Sequence, residues 1–166
     1  MKKNQFLKIL LTVLIISALS CKKAEEAPAE PAKVAFDMAA AKTSIEAGYI
    51  EFETAFNAKD SVTLANCYTT DAKFMHPNDK AIEGRTNIQK LFGQWFKNDL
   101  SKINLNLVEL WGDENNLIAE NSWSMTDKNG KVLDEGKSIE IYKMEDGKWR
   151  MMRDCFNSNM PETPMK

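Results

Sequence analysis

His76 is the only histidine of this 166-residue chain, and its imidazole is the first candidate for chemistry. An imidazole can give and take a proton near neutral pH, so His76 could serve as a general acid or base. Its His-Pro-Asn-Asp context is typical of a loop, and the alternative is a rim residue that only donates a hydrogen bond. No metal site is predicted, because zinc sites use several His or Cys ligands, and no cofactor is predicted either.

Glu140 is the second catalytic candidate, and its facing depends on the phase of its strand. It shares a period of two with Ser138 and Tyr142. If that face points inward, Glu140 is a buried acid that needs a partner or keeps its proton. If it points outward, Ile139 and Ile141 face the core instead.

Asp154 is the third catalytic candidate and shares its phase with Met152 and Phe156. In one interpretation it is a polar wall group that hydrogen-bonds a ligand or His76. In the other it is a structural acid bonded to Arg85 or to a backbone amide. The pattern of the strand leaves both open.

Cys21 is the predicted site of a lipid anchor. A basic start with Lys2, Lys3 and Lys8 precedes an apolar run over residues 9–19, which is too short to span a bilayer and typical of a signal sequence. The following Ala-Leu-Ser-Cys resembles a bacterial lipobox with its first two residues exchanged. Ala18-x-Ser20 also satisfies an ordinary signal peptidase, so a soluble secreted protein is the alternative.

The boundaries of the domain follow from composition. Residues 1–20 are the predicted signal peptide, and residues 21–35 a lipidated Cys with a flexible tether rich in Pro, Ala and charge. Residues 36–161 form one domain and residues 162–166 a tail. Loss of the signal brings the formal net charge from −2 to −5, and such a chain without a basic patch is not expected to bind nucleic acid. Export permits a disulfide between Cys67 and Cys155, although isolated cysteines are often small buried side chains.

The apolar spacing predicts three helices and then a four-stranded meander. Ile45, Tyr49, Phe52 and Phe56 mark one face of the first helix. Ser61 is the predicted N-cap of a short second helix that carries Leu64 and Tyr68, and Thr86 opens a third. Period-two alternation, with turns at Asn129-Gly130 and Asp146-Gly147, predicts strands at about residues 102–111, 116–126, 131–144 and 148–157.

Such an order of elements indicates an α+β fold in which a strongly curved antiparallel sheet wraps the helices. Helical aromatics and the sheet would then enclose a cavity of the usual size for small ligands. The predicted lining consists of Tyr49, Phe52, Phe56, Leu91, Trp95, Asn121, Trp123, Tyr142 and Phe156.

Residues 52–159 resemble the nuclear transport factor 2-like superfamily, which includes ketosteroid isomerase and the SnoaL-like polyketide cyclases. The resemblance implies a cone-shaped fold with three N-terminal helices packed in the sheet, and it is closest to the exported ketosteroid isomerase homologs. The residues that carry it are Phe56-Asn57-Ala58-Lys59-Asp60, Tyr68-Thr69-Thr70-Asp71-Ala72, Gly84-Arg85 before Ile88, Asp146-Gly147-Lys148-Trp149-Arg150 and Asp154-Cys155-Phe156-Asn157.

The resemblance also implies roles for individual residues. His76 stands where the isomerase has its proton-abstracting acid, Phe52 where it has its oxyanion-binding Tyr, and Glu140 nearest its protonated Asp; it therefore favours an inward Glu140. The position of Phe156 matches an aromatic that lines the isomerase pocket. Loss of the Tyr hydroxyl removes a donor worth on the order of 3 kcal/mol, so steroid isomerisation by the familiar mechanism is not expected.

Two functions follow from these features. The first is an envelope lipoprotein, held by Cys21 at the outer membrane and facing the periplasm, whose pocket binds a small apolar or carbonyl-containing ligand. The second is a non-catalytic module that dimerises or holds a partner through the open face of its sheet, as the fold commonly does. Convergence of His76, Glu140 and Asp154 on one cavity would favour the first.

Overall fold

A computed structural model describes residues 35–97 and 101–161 of the chain. The predicted signal peptide, Cys21, the tether and the tail lie outside these residues. Three helices and six strands follow one another: α1 (Met38–Asn57), α2 (Ser61–Ala65), β1 (Tyr68–Met75), β2 (Ile82–Glu83), α3 (Arg85–Trp95), β3 (Lys102–Gly112), β4 (Leu117–Thr126), β5 (Val132–Glu145) and β6 (Lys148–Ser158). The described residues from Phe36 onward form one compact unit. None of their helices is long and apolar enough to cross a membrane.

Helix α1 begins at an aspartate cap and packs against β3. The Asp37 side chain accepts hydrogen bonds from the amides of Ala39 and Ala40 at 3.0 Å, which satisfies two amides that lack a partner within the helix. Near the other end, Glu53 accepts the Leu105 amide at 2.5 Å. The predicted face is confirmed, since its four apolar residues Ile45, Tyr49, Phe52 and Phe56 are all buried.

The second helix is shorter than predicted. Asp60, and not Ser61, is its N-cap, because the Asp60 carboxylate accepts the amides of Val62 and Thr63. The helix ends at Ala65, so the prediction that Tyr68 lies on it was wrong. Tyr68 instead opens β1, where pairing with β6 supplies the backbone hydrogen bonds that a continued helix would have supplied.

Six strands form one sheet in the order β2-β1-β6-β5-β4-β3. The predicted meander of β3 to β6 is confirmed and antiparallel. The strands β1 and β2 were not predicted, and β1 pairs parallel to β6. The helices and the curved sheet together form the α+β arrangement that the element order indicated, and the parallel pair is its one departure from the predicted antiparallel sheet within the described residues.

A bulge in β6 changes which of its residues face inward. Met151 lies opposite Tyr142 and Arg153 opposite Ile141, so that Met152 is left as an extra residue. Met151 is consequently buried at 3% exposure. Asp154 also points inward. The expectation that Met152 lies on the same face as Asp154 was wrong, because two residues separate the inward Met151 from the inward Asp154, where a regular strand would have one.

Candidate functional site

A cavity of about 250 Å³ lies between the helices and the sheet. It is slightly smaller than the roughly 300–1,000 Å³ of pockets for drug-sized molecules, so it suits a ligand of one or two rings. Aromatic rings make up much of its wall. They are Phe52, Phe56, Phe74, Phe92, Trp95, Trp123 and Phe156.

Acidic side chains supply most of the polar wall. Glu140 and Asp154 line the cavity, together with Ser138 and the half-buried Asp134. No lysine or arginine of the described residues lines it. Ile103, Leu105, Met125 and Met151 complete the apolar part.

Glu140 on β5 lies directly opposite Asp154 on β6. Their side chains are buried, at 4% and 6% exposure, so the sheet holds two carboxyl groups next to each other away from water. Like charges in such a place disfavour a second ionisation. The inward interpretation of Glu140 is thereby confirmed.

Glu140 is held by three hydroxyl groups. Tyr142 donates to Oε2 at 2.5 Å and Tyr49 to the same oxygen at 3.2 Å, while Ser138 donates to Oε1 at 3.1 Å. Burial raises the pKa of the Glu140 carboxyl, and these hydrogen bonds oppose that rise. Asn121 extends the network, since it accepts from Tyr49 and donates to Ser138 at 3.3 Å.

Asp154 has one oxygen committed and one free. The Tyr68 hydroxyl donates to its Oδ2 at 2.6 Å, whereas Oδ1 accepts no hydrogen bond from the described residues. Burial, with a further contribution from the Glu140 charge, raises the pKa of Asp154 to about 7, and the bond from Tyr68 opposes this rise. The free oxygen belongs to a cavity-lining side chain, so a ligand can reach it.

The three tyrosines remain donors under ordinary conditions. Burial raises the pKa of the Tyr49, Tyr68 and Tyr142 hydroxyls well above their usual value, and the neighbouring carboxyl groups add to this rise. Each hydroxyl therefore keeps its proton and donates a hydrogen bond to an acid. Since one member of the acid pair titrates near neutral pH, the site can take up or release a proton there.

His76 follows the end of β1 and does not line the cavity. Its ring contacts Phe74 and Trp95, which do line it, with ring centroids 5.6 and 5.7 Å apart. Its Nε2 is buried without a partner among the described residues, and neither Glu140 nor Asp154 accepts a hydrogen bond from it. The structure brings the two acids together and leaves the imidazole outside their network, so a catalytic role for His76 stays a prediction.

The predicted pocket residues fall into two groups. Phe52, Phe56, Trp95, Trp123 and Phe156 line the cavity. Tyr49, Asn121 and Tyr142 are buried and belong to the hydrogen-bond network of Glu140 instead of lining the cavity. The half-buried Leu91 packs against the core.

Sequence reasoning missed Tyr68 as a functional residue because it was assigned to a helix. The β-branched pair Thr69-Thr70 that follows is a strand signal that could have found it. Arg85 does not bind Asp154 as one alternative proposed. It forms an ion pair with Glu145 and donates from Nε to the Tyr68 carbonyl at 2.7 Å, so it fixes the backbone of β1 beside the site.

Trp123 occupies its place because the residue opposite it has no side chain. Gly136 pairs with Trp123 across β4 and β5, and a Cβ there would stand 2.4 Å from the indole and 2.0 Å from the Asn157 carbonyl oxygen. The indole closes part of the cavity and meets Phe156 edge to face at 5.7 Å.

Among the described residues, no group of three or more His, Cys, Asp and Glu could hold a metal ion. Cys67 and Cys155 are not bonded to each other.

Solved structures share this fold at low sequence identity. A protein of unknown function from Mycobacterium tuberculosis has a TM-score of 0.68 at 18% identity, over 74% of this chain and 73% of its own. An NTF2-like protein with a cystatin-like fold from Novosphingobium aromaticivorans gives 0.66 at 13% identity, over 74% and 84%. A ketosteroid isomerase-like protein from Erwinia carotovora atroseptica gives 0.59 at 21% identity, over 72% and 96%.

The sequence itself matches one family model over most of the helices and the sheet. No curated protein matches the chain, but the model of the SnoaL-like domain matches residues 49–152. This range contains α1 from Tyr49 onward and ends within β6. The chain therefore belongs to the SnoaL-like domain family, within the nuclear transport factor 2-like, cystatin-like fold.

Proposed function

We propose that this protein binds a small, largely apolar molecule in the cavity and holds it at Asp154. The observation that carries the proposal is the free Oδ1 of that residue, an acceptor on a buried side chain in the wall of an aromatic cavity. Polar groups inside a protein normally have a hydrogen-bond partner. A ligand that hydrogen-bonds this oxygen and fills the space among the rings supplies both missing contacts.

We also propose that the protein acts at the bacterial cell envelope, anchored through a lipid on Cys21 at the outer membrane and facing the periplasm. The support is the sequence of residues 1–35, with its basic start, apolar run, lipobox-like motif and tether. A tether of this kind leaves the domain free to meet small molecules in the periplasm.

Mass spectrometry of molecules retained by purified residues 36–166 tests the binding proposal. Leu105 lines the cavity, so Leu105→Trp places an indole ring inside it and should abolish retention. Leu133→Trp makes the same change at a residue of 49% exposure and should retain the compound. A cavity that is empty in the native domain, or a compound retained equally by both variants, contradicts the proposal.

A second candidate is self-association through the outer face of the sheet. Ile118 lies opposite Ile141 and Ile139 opposite Cys155, and Ile118 and Ile139 are 38% and 45% exposed. Adjacent exposed apolar side chains of this kind are typical of an interaction surface. Sedimentation should show a homodimer that Ile139→Lys dissociates, whereas Ile50→Lys, on the exposed side of α1, should leave it intact; a monomeric native domain contradicts this candidate.

A further inference from the structure

The supply of hydrogen-bond donors in the cavity restricts the kind of ligand that it can bind. The Ser138 hydroxyl donates its hydrogen bond to Glu140, and the Tyr68 hydroxyl donates its own to Asp154. The remaining polar side chains of the lining are carboxyl groups, which only accept when they are ionised. With these three acids ionised, the carboxyl groups and hydroxyls of the wall offer acceptors and no free donor.

Trp123 is the one lining residue with an unused donor among those described. Its Nε1 has no partner, but the atom is fully covered by protein. The indole is fixed against Gly136 and Phe156, so a ligand cannot reach this hydrogen without displacing the ring. The donor of a complementary hydrogen bond must therefore come from the ligand.

The rest of the wall suits a positive charge. Aromatic rings attract cations through their faces, and seven rings line this cavity. Three acids and no lysine or arginine of the described residues accompany them. A cationic donor would therefore meet attraction from the rings and from the acids at once.

We propose that the ligand carries a protonated amine on a small hydrocarbon frame, with the ammonium group bound to Asp154 Oδ1 and the hydrocarbon among the aromatic rings. This inference rests on the proposed function and adds the chemical class of the ligand. It differs from the carbonyl-containing ligand that the isomerase resemblance implies, because a carbonyl brings an acceptor to a wall of acceptors.

The titratable groups around Asp154 set the pH dependence of this binding. Glu140 faces it from β5, Tyr68 from β1, and Tyr49 on α1 and Tyr142 act on it through Glu140. The parts of α3, β3 and β4 that line the cavity contribute no titratable side chain. Asp134 on β5 also lines the cavity, and the His76 ring contacts the lining residues Phe74 and Trp95. Since an alkylammonium keeps its charge to about pH 10, a change in its affinity between pH 6 and 8 comes from titratable groups of the protein.

Three probes that share a cyclohexane ring distinguish an amine ligand from an alcohol and a ketone: cyclohexylamine, cyclohexanol and cyclohexanone. Binding to residues 36–166 is measured by the shift of the Met125 and Met151 methyl resonances, both of which line the cavity. At pH 8 the amine should bind most tightly. On going to pH 6, its affinity should fall roughly tenfold as Asp154 takes up a proton, while that of the ketone should rise, because the protonated acid is a donor.

Asp154→Asn supplies the matched test. The amide keeps an acceptor for Tyr68 and turns a donor to the cavity, so amine binding should fall roughly tenfold or more and ketone binding should rise. Asp146→Asn makes the same change of charge at an exposed turn residue and should alter neither. If Asp154→Asn fails to fold, the pH dependence of the native domain decides.

Failure of this inference is distinguishable from failure of the proposed function. Ketone binding equal to or tighter than amine binding at pH 8 overturns the amine and leaves a binding cavity. No binding of any probe to a folded domain overturns both. An amine affinity that is unchanged between pH 6 and 8 overturns the contact with Asp154.

Discussion

Asp154 and Tyr68 lie 86 positions apart in the sequence and are joined by a 2.6 Å hydrogen bond inside the sheet. Tyr68 opens the first strand and Asp154 lies on the last. Together with Glu140, they place an acid that titrates near neutrality in the wall of an aromatic cavity.

The domain should lose stability as pH rises from 5 to 8. The pKa of Asp154 is raised to about 7 in the folded state, against about 3.9 in an unfolded chain. Between these values the folded state holds a proton that the unfolded state has released, so rising pH favours unfolding. Between pH 5 and pH 8 only the two units up to the folded pKa contribute, which corresponds to roughly 2.7 kcal/mol. Urea denaturation of residues 36–166 at pH 5 and pH 8 measures the difference.

Asp154→Asn should flatten that dependence, because the amide does not titrate. The variant is expected to gain stability relative to the native domain at pH 8 and not at pH 5. The raised pKa of Glu140 acts in the same direction, so a smaller slope should persist in the variant. An undiminished slope would show that Asp154 is not the group that titrates.

Gly136→Ala should destabilise the domain and move Trp123. Its Cβ would meet the Asn157 carbonyl oxygen and the indole at distances that no packing tolerates, and overpacking of this kind costs about 1–3 kcal/mol. Gly48→Ala is the matched control. It adds the same methyl group on α1, where nothing lies within 4 Å, and should stabilise the helix by about 0.5–1 kcal/mol. Thermal denaturation with tryptophan fluorescence distinguishes the two, and equal effects would contradict the packing.

His76→Phe should leave ligand binding unchanged. The phenyl ring keeps the contacts with Phe74 and Trp95 and removes a buried nitrogen that has no partner among the described residues. His76→Ala should instead lower stability, because it removes the ring and leaves its space unfilled. Titration with the retained compound, alongside urea denaturation, checks both. Loss of binding in His76→Phe would restore the imidazole to the functional site.

Cys21→Ser should release the protein from the membrane. Without the thiol there is no attachment point for the lipid, and one signal-derived anchor is all that the sequence predicts. Fractionation of cells should show the variant in the soluble fraction, with a lipid-sized loss of mass. Cys155→Ser is the control, since Cys155 is an exposed cysteine of the sheet and should leave the protein in the membrane fraction. Unchanged membrane association of the Cys21 variant would rule out the anchor.

Local patterns predicted the meander, because the side chains of a strand alternate between its two faces. The alternation did not decide which face of β5 points inward, and the isomerase resemblance favoured the inward position of Glu140. The alternation assigned Asp154, Phe156 and Met152 to one face; the first two line the cavity, whereas Met152 does not, since its bulge depends on pairing with β5. A bulge is defined by the pairing of two strands, so the sequence of one strand does not predict it.

The missing parts of the site depend on contacts between distant segments. Tyr68 follows Leu64 at helical spacing, which was given more weight than the weak strand signal of Thr69-Thr70, and pairing with β6 makes it a strand residue. The exclusion of His76 from the acid network depends on where β1 ends relative to that pairing. Neither relationship could be read from the spacing of residues within either segment.

The parallel pairing of β1 with β6 has a consequence for the order in which the protein folds. A chain that emerges from a ribosome or a translocation channel with its N-terminus first presents β1 about 75 residues before its partner strand. Until residues 148–158 arrive, β1 has only the two-residue strand β2 as a neighbour, and Tyr68 has no acid to bind. Non-local pairings of this kind form slowly. The pair of Tyr68 and Asp154 is therefore completed only after residues 148–158 have emerged.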